Sequence, residues 1–266
     1  MPKKTQQLPF DKYTLYHKAV QSPDTDVEFF ARAYKESRKG RTPQILREDF
    51  CAAGALSVSW VKAGPKRQAY GVDIDPEPME YGRANYISKL KPDQKKRVHL
   101  IEQNVLAAGL PKADISVACN FSYFIFKQRS ELKNYFHNVY KHLKPDGIAI
   151  FDTFGGGQCY DAIEDVARHK GFMYYWDQTG FDPVSNEALF HIHFRKGSKK
   201  YKNVFTYDWR MWSIPELRDI LEEVGFKKTH IYWEGTTRKG EGNGKFTRVT
   251  KGEACLSWIA YIIAEK

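Results

Sequence analysis

As far as Gly155, short apolar runs alternate with stretches whose apolar positions recur at helical spacing, which predicts strands joined by amphipathic helices. Val27, Phe30, Ala31 and Tyr34 share the face of a helix that opens at the capping cluster Ser22-Pro-Asp-Thr-Asp and ends near Gly40. Residues 44–54, Gln-Ile-Leu-Arg-Glu-Asp-Phe-Cys-Ala-Ala-Gly, read as a strand ending in paired carboxylates, a tight turn and a helix start. That helix continues through Ala55, Leu56, Val58, Trp60 and Val61, and Gly64 closes it. A second strand covers 68–73. Asp75 caps the next helix, with Pro76, Glu77 and Glu80 in its first turns and Met79, Arg83, Tyr86 and Leu90 on one face. Residues 98–105 are a third strand with its turn, and 114–120 a fourth. Ser130 caps a helix with the stripe Leu132, Tyr135, Phe136, Val139 and Leu143; Lys144-Pro-Asp-Gly is a turn and 148–152 a fifth strand.

Beyond Gly155 the pattern changes. A helix through Ala162, Ile163 and Val166 is expected, then aromatic-rich antiparallel strands within 172–212. Ser213-Ile-Pro-Glu opens a helix by a capping box; Leu217, Ile220, Leu221 and Val224 face inward, and Gly225 stops it. Residues 231–234 and 257–265 supply two late strands. The expected fold is α/β: a doubly wound, mostly parallel seven-stranded sheet over 41–266, an antiparallel β insertion as lid, and an N-terminal helical lid over 1–40. In such sheets ligands bind beyond the carboxyl ends of the strands, where Glu48, Asp73, Asn104, Asn120 and Asp152 should gather. Asp73 follows Gly54 by about 20 residues, the acid spacing of a nucleoside-binding βαβ unit.

The net charge of +10 and pI near 9.2 admit a nucleic-acid partner. Much of that charge lies in Arg195-Lys-Gly-Ser-Lys-Lys-Tyr-Lys and in 238–251, Gly-containing stretches for which solvated loop charge is the preferred reading. The four cysteines form no Cys-x-x-Cys pair, so neither a metal site nor a disulfide framework is indicated. No signal-like apolar segment lies at 1–7, and no apolar run approaches the ~18 residues that span a bilayer. A soluble, cytoplasmic protein without a membrane partner is expected.

A nicotinamide dinucleotide needs a glycine-rich turn, because phosphate oxygens must approach backbone N–H groups. Here Phe50 and the alanines replace the early glycines and only Gly54 remains; no Gly-Lys-Ser/Thr phosphate loop occurs. A nucleoside without phosphates but with cationic groups fits better. The stretch Leu46-Arg-Glu-Asp-Phe-Cys-Ala-Ala-Gly-Ala-Leu-Ser resembles the Leu-Arg-Glu-Asp-Phe-Cys-Gly-Thr variant of the first motif of class I S-adenosylmethionine-dependent methyltransferases. The likeness in element order runs from about Tyr13 to the C-terminus. It implies S-adenosylmethionine as cofactor and S-adenosylhomocysteine as product. By that likeness Glu48 meets the methionine end, Ala52 and Gly54 form the turn beside it, and Asp73 takes the ribose diol. Ile74 would flank adenine, Asn104 would take its amino group with Val105 beside it, and Asn120 opens the fourth motif. Ala52 stands where that variant has glycine, and Phe50 where the wider superfamily has another.

Methyl transfer chiefly needs alignment and exclusion of water; a base is optional for an amine and needed for a hydroxyl. The expected lid supplies aromatic residues and His191 and His193, which share a strand face, with His191 the candidate base. Asn120-Phe-Ser-Tyr123 is superficially similar to the Asn-Pro-Pro-Tyr motif of amino-group methyltransferases, though both prolines are absent; Asn120 and Tyr123 become substrate-side candidates. Tyr13, Tyr16 and His17 can cover the cofactor, Tyr16 foremost, or staple the core. The expected function is methyl transfer to a small-molecule amine or hydroxyl. The alternatives are an RNA or protein methyltransferase and a non-catalytic S-adenosylmethionine-binding module.

Overall fold

The computed structural model describes residues 8–238 and 240–266; residues 1–7 of the expected lid, and Lys239, lie outside them. Seven α-helices are described: α1 (Lys12–Val20), α2 (Pro23–Ser37), α3 (Ala55–Lys62), α4 (Pro76–Asn85), α5 (Pro92–Lys95), α6 (Arg129–Lys141) and α7 (Ile214–Val224). The strands are β1 (Ile45–Asp49), β2 (Gln68–Asp73), β3 (Val98–Glu102), β4 (Ala113–Ala118), β5 (Leu143–Gly155), β6 (Ile163–His169), β7 (Phe172–Asp182), β8 (Glu187–Lys196), β9 (Lys199–Arg210), β10 (Lys228–Thr236), β11 (Gly242–Val249) and β12 (Trp258–Glu265). The chain divides into two compact units. One combines the N-terminal segment through Ser22 with Tyr160–Trp209; the other holds Pro23–Cys159 and Arg210–Lys266.

The larger unit is a sheet of eight strands in the order β11-β10-β12-β5-β4-β1-β2-β3. Strands β5, β4, β1, β2 and β3 run parallel, whereas β12, β10 and β11 pair antiparallel with their neighbours. The strand order reverses between β1 and β4, and in such sheets ligands bind outside the carboxyl ends at that point. Its core packs Phe30, Tyr34, Trp60 and Val61 against Leu46, Ile115, Ile150 and Ile263. Gly82 lets α4 approach the first turn closely: a Cβ there would meet the Ala53 carbonyl oxygen at 2.0 Å. The smaller unit is an antiparallel sheet of four strands, β6-β7-β8-β9. In it Leu15 of α1 packs with Phe172, Ile192 and Phe194.

Four expectations are corrected. The helix through Ile163 and Val166 is strand β6, whose full length pairs with β7 from Ile163↔Gln178 to His169↔Phe172, so cross-strand bonding overrides its local period. The sheet has an eighth strand, β11, inside the stretch expected as a basic loop, paired from Ile231↔Val249 onward. The cap of α6 is Gln128 rather than Ser130, and the Gln128 amide donates to Glu131 Oε2 at 3.3 Å. Finally, Lys144-Pro-Asp-Gly is a bulge inside β5: β5 advances from Leu143 to Ile148 while β4 advances only from Ala113 to Ile115. Among the described residues no helix is long and apolar enough to cross a membrane.

Candidate active site at the carboxyl rim of the sheet

The turn after β1 is left-handed at alternate residues: φ is +58° at Phe50, +45° at Ala52 and +67° at Gly54. Only glycine takes this region freely; other residues held there cost about 1–2 kcal/mol each. Phe50 and Ala52 therefore hold a glycine-favouring backbone shape under strain. Several bonds hold the turn. The Ala52 amide donates to Asp73 Oδ2 at 2.7 Å, the Cys51 amide to the Val72 carbonyl at 3.1 Å, and the Gly54 amide to the Cys51 carbonyl at 2.7 Å. Asp73 Oδ1 also accepts the Asp75 amide at 3.0 Å, while Asp75 caps α4 through the Glu77 amide.

Strand alternation separates the paired acids. Arg47 and Asp49 share one face, where Arg47 Nε and Nη2 donate to the two oxygens of Asp49 at 2.9 and 3.0 Å. The Tyr135 hydroxyl adds a third bond to Asp49 Oδ2 at 3.0 Å. Burial, with Asp49 beside it, pushes the Tyr135 hydroxyl well above its ordinary range and keeps it a donor. Glu48 points the other way. Its Oε2 accepts from the Ser57 amide at 2.9 Å and the Ser57 hydroxyl at 2.5 Å. Burial pushes its carboxyl up to about 7 against those bonds, and Asp73 and Asp26 add to the rise.

Two further acids complete the rim. Asp152, near the carboxyl end of β5, accepts the Asn120 amide at 2.5 Å and the Phe121 amide at 2.9 Å. Those two residues are both left-handed, with φ of +56°. Burial raises the Asp152 carboxyl to about 7. Asp26, in the first turn of α2, is raised to about 6 by burial, tempered by a hydrogen bond with Tyr261. Tyr261 lies opposite Asp152 in the β12–β5 ladder. Sequence reasoning took Asp26 only for a helix-capping residue and missed Ser57 altogether. The acid in the first turn of α2 was visible, but its burial against β12 was not.

The remaining expected residues divide. Ile74 is 67% exposed beside Asp73, an unusual place for a branched apolar side chain. Asn104 Oδ1 accepts the Leu106 amide at 2.8 Å, which fixes the turn after β3. Val105 is buried, and its carbonyl accepts from Asn138 Nδ2 at 2.6 Å. Tyr123 is corrected as a substrate-facing residue: it is wholly buried, its hydroxyl donating to the Asp152 carbonyl at 2.7 Å, so it supports the Asn120 turn from beneath. Tyr16 and His191 belong to the antiparallel unit. There the Tyr16 ring lies 5.1 Å from Phe205, and His191 Nδ1 is 2.9 Å from Thr206 Oγ1.

Glu164, Asp177 and His193 in the antiparallel unit bring three potential ligand atoms within 4.8 Å of one another. The hydrogen bonds account for them without a metal. His193 Nδ1 accepts the Asn203 amide at 2.9 Å, so the ring proton sits on Nε2, which donates to Asp177 Oδ2 at 2.9 Å. Lys200 pairs with Glu164 and supplies the cation.

A doubly wound α/β sheet with acids at a topological switch point is an arrangement in which ligands bind beyond the carboxyl ends of the strands. Residues 50–147 match the model of a methyltransferase domain. Bacillus subtilis (strain 168) YqeM, whose name provisionally assigns it to the methyltransferases, is 20% identical over 185 residues, 66% of this chain and 71% of that protein. An S-adenosylmethionine-dependent methyltransferase from Clostridium acetobutylicum ATCC 824 superposes with a TM-score of 0.67 at 18% identity, covering 95% of this chain and 96% of its own. CalS10 from Micromonospora echinaspora, an amino pentose methyltransferase with S-adenosylmethionine bound, gives 0.66 at 14% identity over 98% of both chains. The sugar N-methyltransferase KedS8 from Streptoalloteichus sp ATCC 53650 gives 0.64 at 14% identity over 100% of this chain and 98% of its own. The fold is thus that of S-adenosylmethionine-dependent methyltransferases, and residues 50–147 resemble a methyltransferase domain.

The donor set fits that cofactor. Glu48, Asp26 and Asp152 are held near one another with carboxyls raised by burial, so a cation is the group that would relieve them. S-adenosylmethionine carries two, an ammonium and a sulfonium.

Proposed function

We propose that the chain is an S-adenosylmethionine-dependent methyltransferase acting on a small-molecule amine or hydroxyl. The observation that carries this reading is the pairing of buried Glu48 with the Asp73-anchored left-handed turn at the switch point between β1 and β4. When bound, S-adenosylmethionine supplies a sulfonium methyl open to in-line attack by an acceptor lone pair. Glu48 holds the ammonium, the turn at Ala52 and Gly54 lies against the methionine end, and Asp73 takes the ribose hydroxyls with its remaining lone pairs. Ile74 covers the adenine face; Asn104 and Val105 border it, with the second lone pair of Asn104 Oδ1 accepting from the adenine amino group. Asn120 orients the acceptor from its turn over Asp152.

An amine is favoured over a hydroxyl because two similar structures are an amino pentose methyltransferase and a sugar N-methyltransferase, and because an acidic rim attracts a cationic acceptor. The acceptor amine would then lose its proton before attack, a step the raised carboxyls of the rim can accept near neutral pH.

The test is calorimetric titration with S-adenosylhomocysteine, with NAD and the Asp73→Ala variant as controls, after stripping any co-purified ligand. Micromolar binding that is lost in Asp73→Ala and absent for NAD supports the reading; no heat and no thermal shift would sink it. Labelled methyl transfer across amines, hydroxyls, RNA and peptides then separates the acceptor classes. Binding without turnover on any of them would instead make the chain a cofactor-binding module.

A further inference from the structure

In the larger unit Arg47, Asp49 and Tyr135 form a wholly buried polar network one residue before the strained Phe50. A buried ion pair is weak as a source of stability, because well-packed apolar residues of the same volume often do as well or better. Its presence calls for another role, and the neighbouring geometry supplies one. Asp49 is the last residue of β1, and its two oxygens are gripped by three donors from Arg47 and Tyr135. Phe50 follows in the left-handed region, and its ring packs 5.5 Å from Tyr135 and 6.1 Å from Phe126. Tyr135 therefore touches both the Asp49 carboxylate and the strained residue. On the other side of the turn, Asp73 grips the Ala52 amide.

We propose that Arg47, Asp49 and Tyr135 are positioning residues that lock Phe50 in its left-handed conformation, and so preset the 50–54 turn to receive the methionine end of S-adenosylmethionine. The proposal rests on the cofactor reading above. Where a glycine would take this backbone shape at no steric cost, this chain imposes it through a side-chain network.

The experiment is a double-mutant cycle read by S-adenosylhomocysteine affinity and melting temperature. Tyr135→Phe removes one bond to a charged acceptor and keeps the ring; it should weaken binding about tenfold. With Phe50→Gly already present, the same substitution should change affinity by less than about twofold, because glycine no longer needs holding. Equal losses in both backgrounds, or no loss in either, would overturn the proposal.

A second variant guards against simple misfolding. Arg47→Met with Asp49→Leu replaces the ion pair by apolar groups; the melting temperature should hold or rise while affinity falls. A lower melting temperature with unchanged affinity would mean that the network only supports the fold. If the unsubstituted protein takes no S-adenosylhomocysteine, the cofactor reading falls. The network is then judged on the loop itself, by whether Tyr135→Phe speeds amide exchange at Cys51 and Gly54 with Phe50 in place but not with glycine there.

Discussion

The Ala52 amide donates to Asp73 Oδ2 at 2.7 Å, so the acid at the tip of β2 also shapes the turn that follows β1. Asp73→Ala should abolish measurable S-adenosylhomocysteine binding and lower stability by about 1–3 kcal/mol, because two backbone amides lose their acceptor. Asp73→Asn keeps one acceptor oxygen and should fall between the two. Calorimetry and thermal melting check both, and an Asp73→Ala protein that still binds tightly would remove Asp73 from the site.

Ala52 sits at φ +45°. Ala52→Gly relieves strain but gains unfolded-chain entropy, so the net should be a stabilisation of about 0.5 kcal/mol, or ~1–2 °C in Tm. Ala53, which has no positive φ, provides the contrast: Ala53→Gly should lower Tm. Opposite signs at adjacent alanines are the diagnostic result, and two decreases would show that strain at Ala52 is not what limits the turn.

Glu48 and Asp152 are raised to about 7 and Asp26 to about 6. For an acid whose folded pKa exceeds its unfolded value, the folded state binds the extra proton. Its stabilising contribution is present below about pH 4 and lost as pH rises toward 7. The free protein should therefore lose on the order of a few kcal/mol from these groups between pH 5 and pH 8. Glu48→Gln should flatten that slope. Binding of S-adenosylmethionine should run the other way, tightening as pH rises through 6–7 and releasing protons near pH 6, which calorimetry in buffers of different ionisation heat would detect. Proton uptake on binding would contradict the assignment of a cation to Glu48.

Tyr123→Phe removes the hydroxyl that holds the Asp152 carbonyl. A loss of about 1 kcal/mol in stability is expected, with KM for the acceptor unchanged, since a wholly buried side chain meets no substrate. A raised KM would restore it to the substrate side.

His193→Phe should destabilise by about 1–3 kcal/mol, because the Asn203 amide and Asp177 both lose a partner. Zinc added to the unsubstituted protein should leave Tm unchanged. A rise that depends on His193 would show that zinc displaces the imidazole proton to solvent and takes its place.

What the sequence made legible was the alternation of β1 through β5 with their helices, because strand and helix periods there are distinct and well punctuated. Phe50 and Ala52, where the resemblance would have glycine, both have positive φ, a backbone region that favours glycine. The β6 segment misled because its residues are mostly exposed, so its apolar spacing carried no information about a buried face. Strand β11 was hidden for a related reason: it is glycine-rich and largely exposed, and only pairing with β10 makes it a strand. The place of Asp26 in the site depends on contact with Tyr261, far away in the chain, which no local pattern records.

The smaller unit joins the N-terminal segment through Ser22 to Tyr160–Trp209. Leu15, with Tyr16, Ala19 and Val20 of α1, completes the apolar cluster around Phe172, Ile192 and Phe194. At ~5–20 residues per second, ribosomal synthesis of β9 follows that of α1 by roughly ten to forty seconds. A helix of nine residues is not stable alone over that interval. Helix α1 must therefore stay unfolded until β6 to β9 exist, which makes closure of the antiparallel unit a late event in biogenesis and its apolar face a surface that needs protection meanwhile.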